Sequence, residues 1–244
     1  MDAASTNNKN NTGAIHSANF LSWPGTFDKI LRVDNFIFFD IVQFPKGKNW
    51  GSRVKILLNG QEHWLTMPVI RTGLQKEYEV NMLEPVYNWK KILATLTQAY
   101  KKSPHFDECF DFLNSFDISA YGDKLMSFNA DFTVKLTRKL GNHHVQFFKS
   151  SEHPELSKSE NTKTELIVET CLAYNIKNYI SGEGCLDFLK PEMFAENNIK
   201  LEFQNFKQPH YPQFKSKEFV PGLFIIDALM NCGFEGVKNL LTAK

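Results

Sequence analysis

The sequence predicts an α/β protein, on three observations. Residues 35–44, Asn-Phe-Ile-Phe-Phe-Asp-Ile-Val-Gln-Phe, form a continuous apolar run of the kind that makes a strand covered on both faces. Asn59-Gly60 stands between two apolar stretches, a strong short-range signal for a β-hairpin. From residue 89 onward apolar side chains recur at helical spacing, beginning with Trp89, Ile92, Leu93, Leu96, Ala99 and Tyr100.

Each element follows in order. Residues 1–12 are polar and read as a disordered tail. Residues 14–21 read as a short buried strand. Ser22 is a candidate helix N-cap, with Pro24 near the first helical position and Phe27, Ile30 and Leu31 on the inner face. Residues 54–58 and 63–69 are the hairpin strands, and 78–82 suit a further strand. After the helix at Trp89, helices are expected over 104–116 and 119–140, the last stopped by Gly141. Residues 145–148 are strand-like, and the polar stretch 150–162 reads as a flexible loop. Then come a helix (164–174), a strand (178–181) running into Gly182-Glu183-Gly184, a short helix (191–196) and a strand (199–203). Residues 204–218 are irregular, and 224–231 and 237–241 close the pattern as helices. No internal repeat or Gly/Ser linker divides it. The reading is one domain over 13–244: a Rossmann-like mixed sheet flanked by helices, with a β-hairpin and a helical insert at about 88–141 in the middle.

The totals exclude several classes. The 244 residues are 42% hydrophobic and include 22 Phe, enough for a substantial core. A net charge of +1 gives no electrostatic case for nucleic-acid binding. No apolar run reaches the roughly 20 residues that cross a bilayer. The four cysteines are far apart and no leader is seen, so reduced thiols in a cytoplasmic protein are expected. No Cys/His spacing suggests a metal site.

In open α/β sheets, ligands bind beyond the strand ends. Two polar-aromatic clusters stand where apolar runs end, and they are expected to meet at one cleft. The first carries His16, Asn19, Trp23, Asp40, Gln43, Asn49, Trp50 and Arg53; the second carries Ser181, Gly182, Gly184, Gln204, Tyr211, Gln213 and Asp227. His16, between a strand and a helix start, suits phosphate or carboxylate binding, and equally a hydrogen-bonded loop position. Asp40 lies in an apolar run, so it must be paired, hydrogen-bonded or functional; Arg53 is its natural partner. Gln43 and Asn49 are neutral groups suited to an amide or a sugar hydroxyl. Trp23, Trp50, Trp64 and Tyr211 suit stacking on a sugar or base, although aromatics more often fill cores. Gly182-x-Gly184 suits a phosphate or an ordinary turn, since it lacks the further residues of a nucleotide fingerprint. Asp227 is placed to cap, pair or act as a base. Cys232 has no evident base and reads as structural.

Taken together and in this order, the motifs resemble the WbqC-like protein family over about residues 14–236. That family opens His-Gln-Pro-x-x-x-Pro-Trp-x-Gly-x-Phe, matched here by His16, Trp23, Gly25 and Phe27. Its Asp-Asp-Val-Gln corresponds to Asp40-Ile-Val-Gln43, its Trp-x-x-Arg to Trp50–Arg53, and its Trp-Leu-Thr-x-Pro to Trp64–Pro68. Ile-Ser-Gly-x-Gly, Phe-Gln-x-Phe, Tyr-x-Gln and Ile-Ile-Asp-x-Leu-x-Asn-x-Gly all have counterparts between residues 180 and 233.

The resemblance implies a place in bacterial surface-polysaccharide and O-antigen assembly. It further implies a glycine (aminoacyl) or acyl transferase acting on the amine of a nucleotide-linked amino sugar. On that reading His16, Asp40 and Arg53 are the catalytic residues, and the other clustered residues bind substrate. The cofactor stays open between ATP and an activated aminoacyl donor. Partners would be a nucleotide sugar or other small-molecule substrate, and other glycan-pathway enzymes. At the level of fold alone, the strand, His loop, helix and strand are similar to enzymes of the pantothenate synthetase kind, which use ATP to activate a carboxylate. The chain departs from the family at Ser17-Ala18 (Gln-Pro), Ser22 (Pro), Ile41 (Asp) and Phe224 (Ser). Loss of the second carboxylate removes a candidate metal or acid/base partner. The alternative is therefore a non-catalytic sugar-nucleotide or protein-binding member of the same pathway.

Overall fold

The computed structural model describes residues 11–47 and 49–243. Residues 1–10 of the expected tail lie outside these. The next two are tied down: the Asn11 side chain donates to the backbone oxygens of Tyr174 and Asn175, and Thr12 opens the first strand.

In chain order the elements are β1 (Thr12–His16), α1 (Pro24–Ile30), β2 (Asn35–Phe38), β3 (Arg53–Leu58), β4 (Gln61–Thr66), β5 (Val69–Ile70) and β6 (Asn81–Met82). Three helices follow, α2 (Pro85–Tyr100), α3 (Phe106–Asn114) and α4 (Leu125–Lys139). Then come β7 (Gln146–Lys149), α5 (Pro154–Lys158), α6 (Lys163–Ala173), β8 (Asn178–Ser181), α7 (Pro191–Glu196), β9 (Lys200–Phe203) and α8 (Ile225–Thr242).

The described residues form two compact units. The first comprises residues up to His16, Lys29–Phe39 and His144–Asn205. It contains a five-stranded sheet of order β7-β2-β1-β8-β9 in which every pair is parallel. The helical connections are what parallel strands require. Ile15, Ile37, Val168, Tyr179 and Phe194 lie in its core. The chain is thus α/β and Rossmann-like. Its antiparallel pairs lie in β3–β4 and β5–β6, outside the main sheet.

The second unit comprises Ser17–Asp28, Asp40–His143 and the chain from Phe206 onward. It holds the hairpin and the helices α2, α3, α4 and α8. The hairpin turns at Asn59-Gly60, both with positive φ, and α2 begins at Pro85 as an N1 proline.

Several boundaries differ from the sequence reading, each for a local reason. β1 stops at His16, and the expected strand could not have reached residue 21, since Leu21 and Ser22 take φ values of 45° and 29°, which no strand admits. Ser22 is not the cap of α1; its hydroxyl lies 3.2 Å from that of Thr133, and Thr26 N–H donates to the Trp23 carbonyl. The 35–44 strand ends at Phe38, and the chain then turns. Residues 119–140 split into a 3-10 turn (Ile118–Tyr121) and α4, because Gly122 and Asp123 both have positive φ. Gly141 does end α4: its N–H donates to Arg138 and that of Asn142 to Thr137, closing a Schellman motif. The 78–82 strand shortens to β6, since Glu77–Glu79 is a 3-10 turn. Residues 150–162 contain a 3-10 turn (Ser150–Glu152) and α5, held by buried Ser150 and Leu156. The two final helices are one element kinked at Gly233, where φ is 69° and ψ 179°. Among the described residues no helix is long and apolar enough to cross a membrane.

Candidate functional site

In the first unit the sheet brings five of the expected residues to the C-terminal ends of its strands. β1 ends at His16 and β8 at Ser181, which leads into Gly182 and Gly184; Gln204 follows β9 and donates its N–H to the Ser181 carbonyl at 2.8 Å. Ser181 and Gln204 are buried, while His16 and Gly182 are half-buried. From β1 the chain steps to β2 on one side, and from β8 to β9 on the other. The boundary between β1 and β8 is therefore the topological switch point, where crevices form in open parallel sheets. β1 pairs with β2 along its length to His16, yet its ladder with β8 covers only Thr12 and Gly13. Beyond Gly13 the ladder between β1 and β8 does not continue.

Lys29, which the sequence reading passed over, belongs to this unit and is only 2% exposed. Its place among Phe27, Ile30 and Leu31 hides it from a periodicity argument, because α1 is buried on most of its circumference. Helical side chains lean toward the helix N-terminus. That direction takes the Lys29 amine toward the strand ends, where a Cβ on Gly182 would stand 3.3 Å from its Nζ. An open groove of about 410 Å³ elsewhere in this unit is lined by Thr12, Arg32, Asn178, Ile180, Lys200 and Glu202. Arg32 and Glu202 pair with each other there, and no predicted site residue lines it.

In the second unit Asp40 is 1% exposed and its expected ion pair with Arg53 is not formed. A second carboxyl, that of Glu77, a residue missed by the sequence reading, acts on it electrostatically. Backbone pairing brings it there: Glu77 N–H donates to Val42, Tyr78 N–H to Asp40, and Phe44 N–H to Gln75. No local pattern could announce this, since the pairing joins segments more than thirty positions apart. Burial pushes the Glu77 carboxyl up to about 8; a hydrogen bond from the Ser17 side chain opposes the shift and the Asp40 charge adds to it. Ser17, one of the departures from the family pattern, is the hydrogen-bond donor to Glu77.

Arg53 and Trp64 share one face of the hairpin as diagonal cross-strand neighbours. The guanidinium lies 3.8 Å from the Trp64 ring centre, and its Nε is buried without a hydrogen-bond partner. Trp64 also meets Trp50 (centroids 5.9 Å apart), which rests on Phe224 at 5.1 Å. Trp50 is 52% exposed and Trp64 39%, so two indoles and a guanidinium present an open aromatic face.

Other predicted residues have bonds that fix the scaffold. Asn49 holds its own loop, donating to Gly47 and accepting from Ser52. Asn19 accepts from Ser22 through its carbonyl. Gln43 is exposed and bridges Lys76. Trp23 packs edge-on to Phe206 and covers Gly25, where a Cβ would fall 2.0 Å from the indole. Asp227, fully buried, accepts from Tyr100 at 2.7 Å and Tyr211 at 2.9 Å. Burial raises its carboxyl above the ordinary range, and both phenols are raised as well. Gln213 bonds both backbone groups of Val220. Burial pushes the Cys232 thiol up, as suits a structural cysteine. Asn129 of α4 was not foreseen; it donates to the carbonyls of Ala18 and Gly51 and clasps two loops.

A model of the WbqC-like protein family matches residues 18–239. The chain is also similar to a protein of Mycobacterium tuberculosis (strain ATCC 25618 / H37Rv) described as the uncharacterized protein Rv1507c. They are 27% identical over 230 residues, which are 93% of this chain and 96% of that protein. No solved structure matches.

Proposed function

The chain belongs to the WbqC-like protein family, and from that premise we propose that it is a cytoplasmic transferase of bacterial surface-glycan (O-antigen) assembly. It places a glycyl, other aminoacyl or acyl group on the amine of a nucleotide-linked amino sugar. The observation that carries this reading is the buried Asp40–Glu77 pair, in which Glu77 keeps its proton at neutral pH beside a second carboxylate. Perturbed carboxyl pairs of this kind serve acid–base chemistry. The sugar amine attacks the acyl carbonyl: the C–N bond forms, and the bond from that carbon to its leaving group breaks. The amine gives its proton to Asp40, and Glu77 supplies one to the leaving group. Arg53, with Trp50 and Trp64, offers a stacking face and a positive charge to the substrate. His16, Ser181, Gly182, Gly184 and Gln204 are the substrate-binding residues of the sheet.

A second reading, a sugar-nucleotide-binding member without turnover, draws on one observation: both carboxyls are shielded, at 1% and 6% exposure. The experiment is incubation with amino-sugar nucleotides and either glycine plus ATP or a glycyl thioester, with mass spectrometry for the amide. An amide formed by the wild type and lost in folded Glu77→Gln and Asp40→Asn supports the transferase. Binding of the sugar nucleotide with no product from either donor overturns it in favour of the second reading.

A further inference from the structure

We infer that the exposed face of the β3–β4 hairpin holds the nucleotide end of an activated sugar, with its base stacked on the indoles of Trp50 and Trp64 and its phosphates drawn to the Arg53 guanidinium. The inference deepens the transferase reading and rests on it for the nucleotide-linked acceptor. It adds which half of that acceptor lies here: the nucleotide, and not the amino sugar.

Three observations carry it, all within the second unit. The first is exposure. Trp50 and Trp64 are 52% and 39% exposed, whereas Trp89 is buried. Adjoining indoles left in water mark a surface that something covers.

The second is that the rings are held in place. Asn49 fixes the Trp50 loop by donating to Gly47 and accepting from Ser52. The Trp50 carbonyl accepts from Phe20 at 2.9 Å, and the Gly51 carbonyl from Asn129 at 2.8 Å. Phe224 backs the Trp50 ring, and the guanidinium lies 3.8 Å from the centre of Trp64. A stacking surface fixed before the ligand arrives loses little entropy on binding.

The third is charge. Directly paired residues of a hairpin point to one side, so Arg53, Lys55, Glu62 and Trp64 share this face. Glu62, the one acid among them, is taken by Lys55 at 2.8 Å. Arg53 has no carboxylate partner among the described residues, and its buried Nε has no hydrogen-bond partner. One positive charge is therefore uncompensated. It repels the ammonium of an amino sugar and attracts phosphate, which a planar guanidinium binds through two N–H groups. Exposed indoles beside an unpaired guanidinium match a base joined to phosphate.

The test uses the full chain with UDP, ADP, uridine and glucosamine, by calorimetry and tryptophan emission. Both diphosphates are expected to bind with similar affinity, because stacking on an indole does not read base edges. Uridine should bind more weakly, and glucosamine not at all. Trp50→Ala and Trp64→Ala should weaken UDP binding about 10- to 100-fold, as for loss of a base–aromatic stack. Arg53→Met should lower the affinity for UDP to that for uridine and leave uridine where it was. Far-UV circular dichroism checks each fold; should Arg53→Met not fold, the two tryptophan variants, at exposed positions, decide alone. The inference is overturned if the wild type binds neither diphosphate, if both tryptophan variants bind UDP as the wild type does, or if glucosamine binds with the same dependence on the indoles. Indole-dependent UDP binding with no amide formed from any donor would retire the transferase and keep the nucleotide face. Amide formation with UDP affinity untouched by the variants would do the reverse.

Discussion

Ser17 hydrogen-bonds Glu77 through its side chain, and the carboxyl it touches still holds its proton up to about pH 8. Burial outweighs the bond. The consequence is a slope in stability. Glu77 titrates near its ordinary 4.5 in the unfolded chain and near 8 in the folded one, so between those values the native state binds the extra proton. Stability therefore falls as pH rises through that window, by up to about 1.4 kcal/mol per pH unit, and levels off outside it. Urea unfolding of wild type and Glu77→Gln across the window checks this. The two curves should diverge with rising pH, the variant becoming relatively more stable; parallel curves would refute the shifted carboxyl. Ser17→Ala should move the Glu77 titration further up, as read by carbon NMR of the carboxyl.

Gly25→Ala should destabilise the protein by about 1–3 kcal/mol, despite the better helix propensity of alanine. The added methyl would overlap the Trp23 ring, 2.0 Å away. Trp23→Ala removes the obstacle, so the double variant should cost less than the sum of the singles. Strict additivity in urea denaturation would show that the ring yields.

Asp227 should couple its two tyrosines. Tyr100→Phe and Tyr211→Phe each remove a donor from a buried carboxyl, at a cost of about 1–3 kcal/mol. A double-mutant cycle should give a coupling clearly different from zero. The Asp227 carboxyl is itself raised, so it too favours the folded state less once pH climbs above the ordinary carboxylate range.

Tryptophan emission reports on the open aromatic face. If a sugar nucleotide stacks there, it should quench the wild type, and Trp50→Ala or Trp64→Ala should lose most of that change. Equal quenching in both variants would move the stacking site away from the hairpin.

Much of the fold was legible because it is local. The Asn59-Gly60 turn, the helical spacing of α2 and the Gly141 stop each need only neighbouring residues. The errors occurred where conformation at one or two residues overrode the pattern: left-handed Leu21 and Ser22, and the Gly122-Asp123 break. In the candidate site, Asp40 was legible as a carboxylate in an apolar run, whereas its partner was not. Arg53 lies nearer in sequence, but stacking on Trp64 takes its side chain, and backbone pairing delivers Glu77 instead. Lys29 was hidden for the opposite reason: a charge inside a mostly buried helix looks from sequence like a solvated one.

Asp227 also fixes an order of events during synthesis. Tyr100 leaves the ribosome long before Tyr211 and α8, and the carboxylate that joins them is on α8. Both units are sewn from three separated stretches of chain. The N-terminal segments must therefore wait, with apolar faces uncovered, for contacts that are far away in sequence. Such long-range closure slows folding. The nascent chain should consequently depend on chaperone protection until α8 emerges, and a premature stop before Asp227 should leave the second unit unable to close around Tyr100.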